Sequence, residues 1–201
     1  MGYRVLKRFF DIIISVILLA VLLLPLVIFM TLIRLTSEGP AIFKQARIGR
    51  GGKVFTCLKL RTMYIDAPPS LATAKFLNAE SYITPVGRFL RRTSLDELPQ
   101  LINVLMGDMS IVGPRPLIPE ETEMHKQRLE KGVYSIRTGM TGLAQVKGRD
   151  ALSDSEKLAL DVEYLNNMGV IFDIKILFST LIGVVKGKGV EDGEKEKRLK
   201  G

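Results

Sequence analysis

Ile12-Ile13-Ile14-Ser15-Val16-Ile17-Leu18-Leu19-Ala20-Val21-Leu22-Leu23-Leu24-Pro25-Leu26-Val27-Ile28-Phe29-Met30-Thr31-Leu32-Ile33 is an apolar run interrupted only by Ser15, Pro25 and Thr31. Its 22 residues make about 33 Å of helix, enough to cross the hydrocarbon core of a bilayer. No A-x-A-type cleavage site follows, so the run is predicted to be retained. Arg4, Lys7 and Arg8 precede it; Arg34, Lys44, Arg47 and Arg50 follow. With both flanks basic, the positive-inside tendency sets no direction for a span and is equally met if both ends stay on one face. Pro25 removes one intrahelical hydrogen bond and crowds the carbonyl of Val21, which predicts a kink beyond the midpoint. Membrane helices tolerate proline, so composition leaves a spanning and a re-entrant helix both open.

The rest of the chain is basic and of ordinary domain size. Among 201 residues, 29 Lys and Arg stand against 21 Asp and Glu, a net charge of +8 that favours anionic partners. Trp is absent and aromatics are 7%, so stacking platforms for single strands are poorly supplied and nucleic acid is not the expected partner. A single cysteine, Cys57, excludes an internal disulfide, and a single histidine, His125, excludes a multi-histidine or Cys/His zinc site within one chain. Any metal should then be a hard ion on oxygen ligands, most simply Mg²⁺. His125 falls in the charged stretch from Pro119 to Lys131 and reads as a surface residue.

Beyond the membrane segment the pattern is α+β and mostly helical. Ala41 to Met63 reads as a β-hairpin about the turn Gly49-Arg50-Gly51-Gly52. Asp66 to Ser81 reads as a loop or irregular insertion. Thr84-Pro85 opens a short helix, with Thr84 as its N-cap. Ser153-Asp154-Ser155-Glu156 is a capping box opening a helix to about Met168. A last helix, from about Phe172 to Val185, is apolar on much of its circumference and is expected to lie partly in the membrane interface. These assignments give a membrane-inserted helix (1–36), one further domain (37–186) and a disordered tail (187–201).

Chemistry concentrates at Ser94-Leu95-Asp96-Glu97-Leu98-Pro99-Gln100, three residues after the paired cations Arg91 and Arg92. A capping box from Ser94 to Glu97 would place Pro99 inside the helix, where its ring clashes with the carbonyl of Leu95. A start at Asp96 puts Pro99 harmlessly at the third helical position. Asp96 would then stand at the positive end of the helix dipole, which should keep it ionised. Gly113-Pro114-Arg115-Pro116 follows, with Arg115 held between two prolines that lower its entropy loss on binding. Acids bracketed by arginines suit a phosphorylated substrate: a carboxylate attacks or holds a metal while guanidinium groups grip phosphate oxygens. A helix capped by acids with a solvated charged face is the plainer account of the same residues.

Taken in order, Lys7-Arg8-x-x-Asp11, Lys59-x-Arg61-Thr62-Met63, the Ser94–Gln100 stretch, Gly107-Asp108-Met109-Ser110, Gly113-Pro114-Arg115-Pro116 and Gly142-Leu143-Ala144-Gln145-Val146 resemble a bacterial sugar transferase of the monotopic phosphoglycosyl transferase superfamily, in its minimal catalytic form. The resemblance covers about Tyr3 to Lys186. It implies transfer of a phosphosugar from a UDP-sugar to polyprenyl (undecaprenyl) phosphate with release of UMP, as the first membrane step of glycan assembly. Asp96 would be the nucleophile and a Mg²⁺ ligand, forming a phosphosugar-aspartyl intermediate, and Glu97 would assist the second half-reaction. Arg91, Arg115 and Arg149 are the expected phosphate contacts; Lys59, Arg61 and Gln145 are placed between substrate contact and structural support. The resemblance also implies a re-entrant helix broken at Pro25, in the bacterial inner membrane among its lipids, with the catalytic domain on the cytoplasmic face.

Three departures from the family pattern stand out. Leu24-Pro25 replaces a frequent Ser-Pro, so no neighbouring hydroxyl can take up a backbone group freed by the proline. Thr138 stands where proline is usual, and Lys147 replaces a common asparagine. The competing reading is a non-catalytic, membrane-anchored basic protein that docks anionic lipid or nucleic acid. It leaves the Asp96-Glu97 pair without a purpose, because acids repel a polyanion. The sugar and the downstream glycan are not encoded in any motif, and neither is the oligomeric state, a homo-oligomer included.

Overall fold

The computed structural model describes residues 2–67, 79–148 and 151–185. The expected irregular insertion lies largely outside these residues, and Arg149 and the tail lie wholly outside them. A continuous helix, α1 (Gly2–Thr36), carries the apolar run with Pro25 inside it. Among the described residues it is the one helix long and apolar enough to cross a membrane, and its lipid-like surface is largely exposed.

The hairpin is as expected. β1 (Ile42–Ile48) pairs antiparallel with β2 (Val54–Leu60), from Ile42 opposite Leu60 to Ile48 opposite Val54. Next come α2 (Pro85–Thr93), a 3₁₀ turn at Leu95–Glu97 and α3 (Gln100–Met106). A second, parallel pair then forms from β3 (Met109–Val112) and β4 (Thr138–Thr141), with α4 (Thr122–Glu130) in the crossover. The sequence pattern does not reveal this pair. β3 is buried at every position, so it lacks the alternation that marks a half-exposed strand. The chain closes with α5 (Leu143–Lys147), α6 (Asp154–Asn167) and α7 (Val170–Val185). Thr84 caps α2 through Gly87 N–H, and Ser153 and Glu156 complete the capping box of α6, both as the sequence predicts.

Two apolar clusters organise these elements. Val104, Met109, Val112, Ile136, Tyr164 and Ile176 form the main core between the parallel pair and α3, α6 and α7. Leu26 and Ile33 of α1 meet Ala41, Leu60 and Leu90 in the second, with Leu95 and Leu98 packed against them. The N-terminal part of α1 is held by polar contacts instead. Asp11 is buried, accepting from Ser110 Oγ at 2.8 Å and Ile111 N–H at 3.1 Å. Lys7 and Tyr3 both donate to Asp173 of α7, at 2.5 and 2.6 Å. Arg8 donates to the carbonyls of Val104 and Leu105 at 2.5 and 2.9 Å, capping the negative end of α3. Both ends of the apolar run are thus fastened to the same body. Along α7, Ile171, Ile174, Phe178, Leu181 and Ile182 form an exposed apolar stripe, consistent with the expected interfacial helix.

Candidate active site

The acidic pair does not open an α-helix as predicted. Ser94 adopts a left-handed conformation (φ 57°) and ends α2, and its side chain makes no capping bond to the next turn. Asp96 and Glu97 lie in the 3₁₀ turn that follows, and α3 begins at Gln100 with Pro99 as its N-cap. Pro99 has no N–H to give to Leu95, so the chain takes i→i+3 bonds instead: Leu98 N–H to Leu95 O and Leu101 N–H to Leu98 O. The result sets both carboxylates on a tight turn held between α2 and β2, with Leu95 and Leu98 on either side packed into the second apolar cluster. Both carboxylates are half-buried there, at the edge of the apolar cluster to which α1 contributes Leu26 and Ile33.

Behind the turn, Asn103 locks α3 to the hairpin. Fully buried, it accepts from Leu58 N–H at 3.0 Å and donates to the Thr56 carbonyl at 2.8 Å, standing in for a neighbouring strand. That fixes β2 beside the acids, and Lys59 of β2 reaches Glu97 at 2.7 Å. Arg91 of α2 donates through Nε to Thr62 Oγ1 at 2.9 Å. Asp96 is pushed up to about 6 from 3.8, first by burial and then by the charge of Glu97, against the pull of Lys59 and Arg91. The expected helix terminus is thereby corrected: the carboxyl is pushed up instead of held down, though it remains mostly the anion at neutral pH. The group is not in an α-helix, and its loss of hydration outweighs the nearby cations.

Arg115 lies on a loop fixed largely through its carbonyls. Pro114 O accepts from Gly139 N–H and Leu117 O from Ile48 N–H, both at 2.9 Å. Arg115 O accepts from Arg128 at 2.7 Å, Pro116 O from Arg47 at 2.9 Å, and Ile118 O bonds to His125 Nε2 at 2.7 Å. Two of these residues are prolines without N–H groups, so acceptors are what the loop can offer. The Arg115 side chain is exposed, and its charge, with those of Arg47, Lys59 and Glu97, acts on the buried Cys57 thiol, which burial raises. The arginine loop and the acidic turn therefore share one neighbourhood over the hairpin.

Sequence reasoning missed the loop's supports. Arg47 is buried against Gln45, whose Oε1 accepts from it at 2.6 Å and 3.1 Å. Arg128 is buried and paired with Asp161 at 2.5 Å. His125 is half-buried and bonded on its other nitrogen to Tyr134, which corrects its reading as a surface residue. A charged composition concealed a pinned side chain. One clue was available for Arg47: it sits in a hairpin arm at the same alternation as Gln45.

The other expected residues divide. Arg61 is buried, and its guanidinium holds the exit of α1 by donating to the Glu38 carbonyl, the Ser37 carbonyl at 2.8 Å and Ser37 Oγ at 2.9 Å. Structural support, one of its two expected roles, is what these contacts provide. Gln145 donates to Met140 O at 3.2 Å, and its Oε1 is buried without a hydrogen-bond partner among the described residues. Arg149 lies outside the described residues.

For Mg²⁺, no group of three acidic, histidine or cysteine ligands occurs among the described residues. Mg²⁺ commonly binds through one or two carboxylates with substrate phosphates and water, and Asp96 beside a second acid fits that manner of binding.

Comparison with known proteins identifies the family. The bacterial sugar transferase family model matches residues 2–187. The sugar transferase EpsL of Bacillus subtilis is 37% identical over 187 residues, covering 93% of this chain and 91% of its own. The undecaprenyl-phosphate galactose phosphotransferase of Salmonella typhimurium is 40% identical over 92% of this chain. The UDP-glucose:undecaprenyl-phosphate glucose-1-phosphate transferase of Escherichia coli is 41% identical over 89% of it. The chain spans only 42% and 40% of these two longer relatives. It belongs to the bacterial sugar transferase family, a family of enzymes.

Proposed function

We propose that this enzyme moves a phosphosugar from a UDP-sugar to undecaprenyl phosphate, releasing UMP, through a covalent intermediate on Asp96. The observation that carries the reading is the half-buried Asp96-Glu97 pair, flanked by Lys59 and Arg91 on a turn whose leucines join the apolar cluster that α1 shares. A soluble anionic donor and a lipid-borne phosphate could both reach such a site. In the first step an Asp96 carboxylate oxygen attacks the β-phosphorus of the donor. The bond from that phosphorus to the bridging oxygen breaks, and its electron pair leaves with UMP. In the second, a phosphate oxygen of the acceptor attacks the same phosphorus and the bond to Asp96 breaks, restoring the carboxylate.

Arg91 and Arg115 are assigned to phosphate oxygens, where guanidinium forks stabilise charge in the transition state. Lys59 holds Glu97 in place, and Glu97 takes the acceptor's proton where the phosphate arrives protonated. Mg²⁺, bound by Asp96 with the donor's phosphates, would supply charge neutralisation of the diphosphate. The attachment of both ends of α1 to one domain supports a re-entrant helix with both ends on the cytoplasmic face of the inner membrane.

The test is a donor carrying ³²P at the β-phosphate, mixed with detergent-extracted enzyme without acceptor. Label should map to the Asp96 peptide, and addition of undecaprenyl phosphate should discharge it into lipid with UMP in solution. Label on another residue, or kinetics that require donor and acceptor together, would replace the two-step route by direct transfer. UDP as the product would make the enzyme a glycosyl transferase that leaves the phosphate behind.

A further inference from the structure

At the opposite end of α3 from the acidic pair, three stretches of chain converge on a cleft. Arg4, Lys7 and Arg8 come from α1, Arg50 from the hairpin turn and Arg137 from the approach to β4, with Asp11 as the carboxylate in the lining. Lys7 is already matched by Asp173. The two oxygens of Asp11 are occupied by Ser110 and Ile111. Among the described residues, no carboxylate lies within ion-pair distance of Arg4, Arg8, Arg50 or Arg137.

Helix capping accounts for part of this. Arg8 holds the carbonyls of Val104 and Leu105, and Arg137 Nε holds that of Gly107 at 2.8 Å. It does not account for Arg4 and Arg50. The guanidinium groups are near enough to oppose one another: burial first, then Arg8 and Arg50, hold Arg137 below the usual arginine range, and the charge of Asp11 offsets only part of this. A surplus of like charge gathered in a cleft is relieved by an anion, and forked donors match phosphate oxygens.

Depth identifies the source. Phe9, Phe10, Ile12 and Ile13 are exposed on the same helix, so Arg4 and Arg8 stand within about one or two turns of the lipid-facing run. We propose that this cleft binds the phosphate headgroup of an anionic lipid at a site separate from Asp96. The proposal rests on α1 lying in the membrane and is independent of the covalent mechanism.

Native mass spectrometry of the full-length protein in detergent, supplied with phosphatidylglycerol or phosphatidylcholine, tests it. The wild type should retain phosphatidylglycerol in preference. Arg4 and Arg50 are exposed, so Arg4→Gln/Arg50→Gln should keep the fold, checked by its melting temperature. It should lose roughly 25-fold of that preference, at about fivefold per basic charge near a membrane surface. Arg34→Gln/Lys44→Gln, an equal loss of charge at the other flank of the helix, should keep it. Equal retention of both lipids by the wild type, no loss in the first variant, or equal loss in both variants would overturn the site. Displacement of the bound lipid by millimolar inorganic phosphate would overturn the lipid assignment and leave a free-phosphate site.

Discussion

Asp96→Asn is expected to abolish activity and stabilise the protein. The carboxyl rises from 3.8 to about 6 because burial and the charge of Glu97 disfavour its anion. A rise of that size corresponds to a ceiling of about 3 kcal/mol of folding free energy above pH 7. Partial exposure of the side chain and the pull of Lys59 reduce it, leaving about 1–2 kcal/mol. The native state binds the proton more tightly than the unfolded chain. The associated stability is therefore fully present below about pH 4 and lost as pH rises through about 6. Asparagine keeps the shape of the side chain and removes the charge, so the variant escapes this loss. For a chain of this size the gain amounts to about 2–8 °C in melting temperature near pH 8. Thermal unfolding of both proteins in the same detergent, followed from pH 8 to pH 5, should show the variant melting higher at pH 8 and the gap narrowing on acidification. The variant should also form no covalent phosphosugar, since an amide is not an anionic nucleophile. A variant that melts lower than wild type at pH 8, or a gap insensitive to pH, would refute the assignment of Asp96 as a carboxylate strained by burial.

Other substitutions probe the scaffold around the site. Thr138 Oγ1 is buried with no hydrogen-bond partner among the described residues, so the near-isosteric Thr138→Val should stabilise by about 1 kcal/mol in chemical or thermal unfolding; a loss of stability would mean the hydroxyl is satisfied. A Cβ at Gly87 would meet the Thr62 carbonyl oxygen at 2.0 Å, so Gly87→Ala should push α2 and Arg91 away from the hairpin. It should lower the melting temperature and cut labelling of Asp96 at least about tenfold, as expected when a positioning element shifts by about an ångström; wild-type labelling would show that Arg91 is not held by this packing. Single cysteines near residue 2 and at Arg34, in a Cys57→Ser background, should both be labelled from the cytoplasmic side if the helix is re-entrant. Labelling near residue 2 only from the periplasm would establish a span.

Much of this molecule is written in local patterns. The apolar run, the hairpin about Gly49–Gly52, the Thr84 cap and the Ser153 capping box involve residues close in sequence, and their spacing carries the geometry. The acidic pair and Arg115 stand out for the same reason, as charges beside prolines in short motifs. Tertiary structure decided what those charges experience. From its neighbours in sequence Asp96 reads as a carboxyl held down by nearby positive charge, yet its turn is half-buried beside the apolar cluster, and desolvation exceeds the attraction of Lys59 and Arg91. The parallel pair of β3 and β4 escaped notice because a strand buried on both faces has no alternation. Arg47, Arg128 and His125 appear as scattered polar residues, but Arg47 from β1 and the other two from α4 each meet a carbonyl of the Pro114–Ile118 loop. Arg61, inside a recognisable motif, has its guanidinium directed to the exit of α1 instead. Hydrogen-bond partners far apart in the chain, and the loss of water around a charge, exist only once the chain has folded, so no reading of local spacing could supply them.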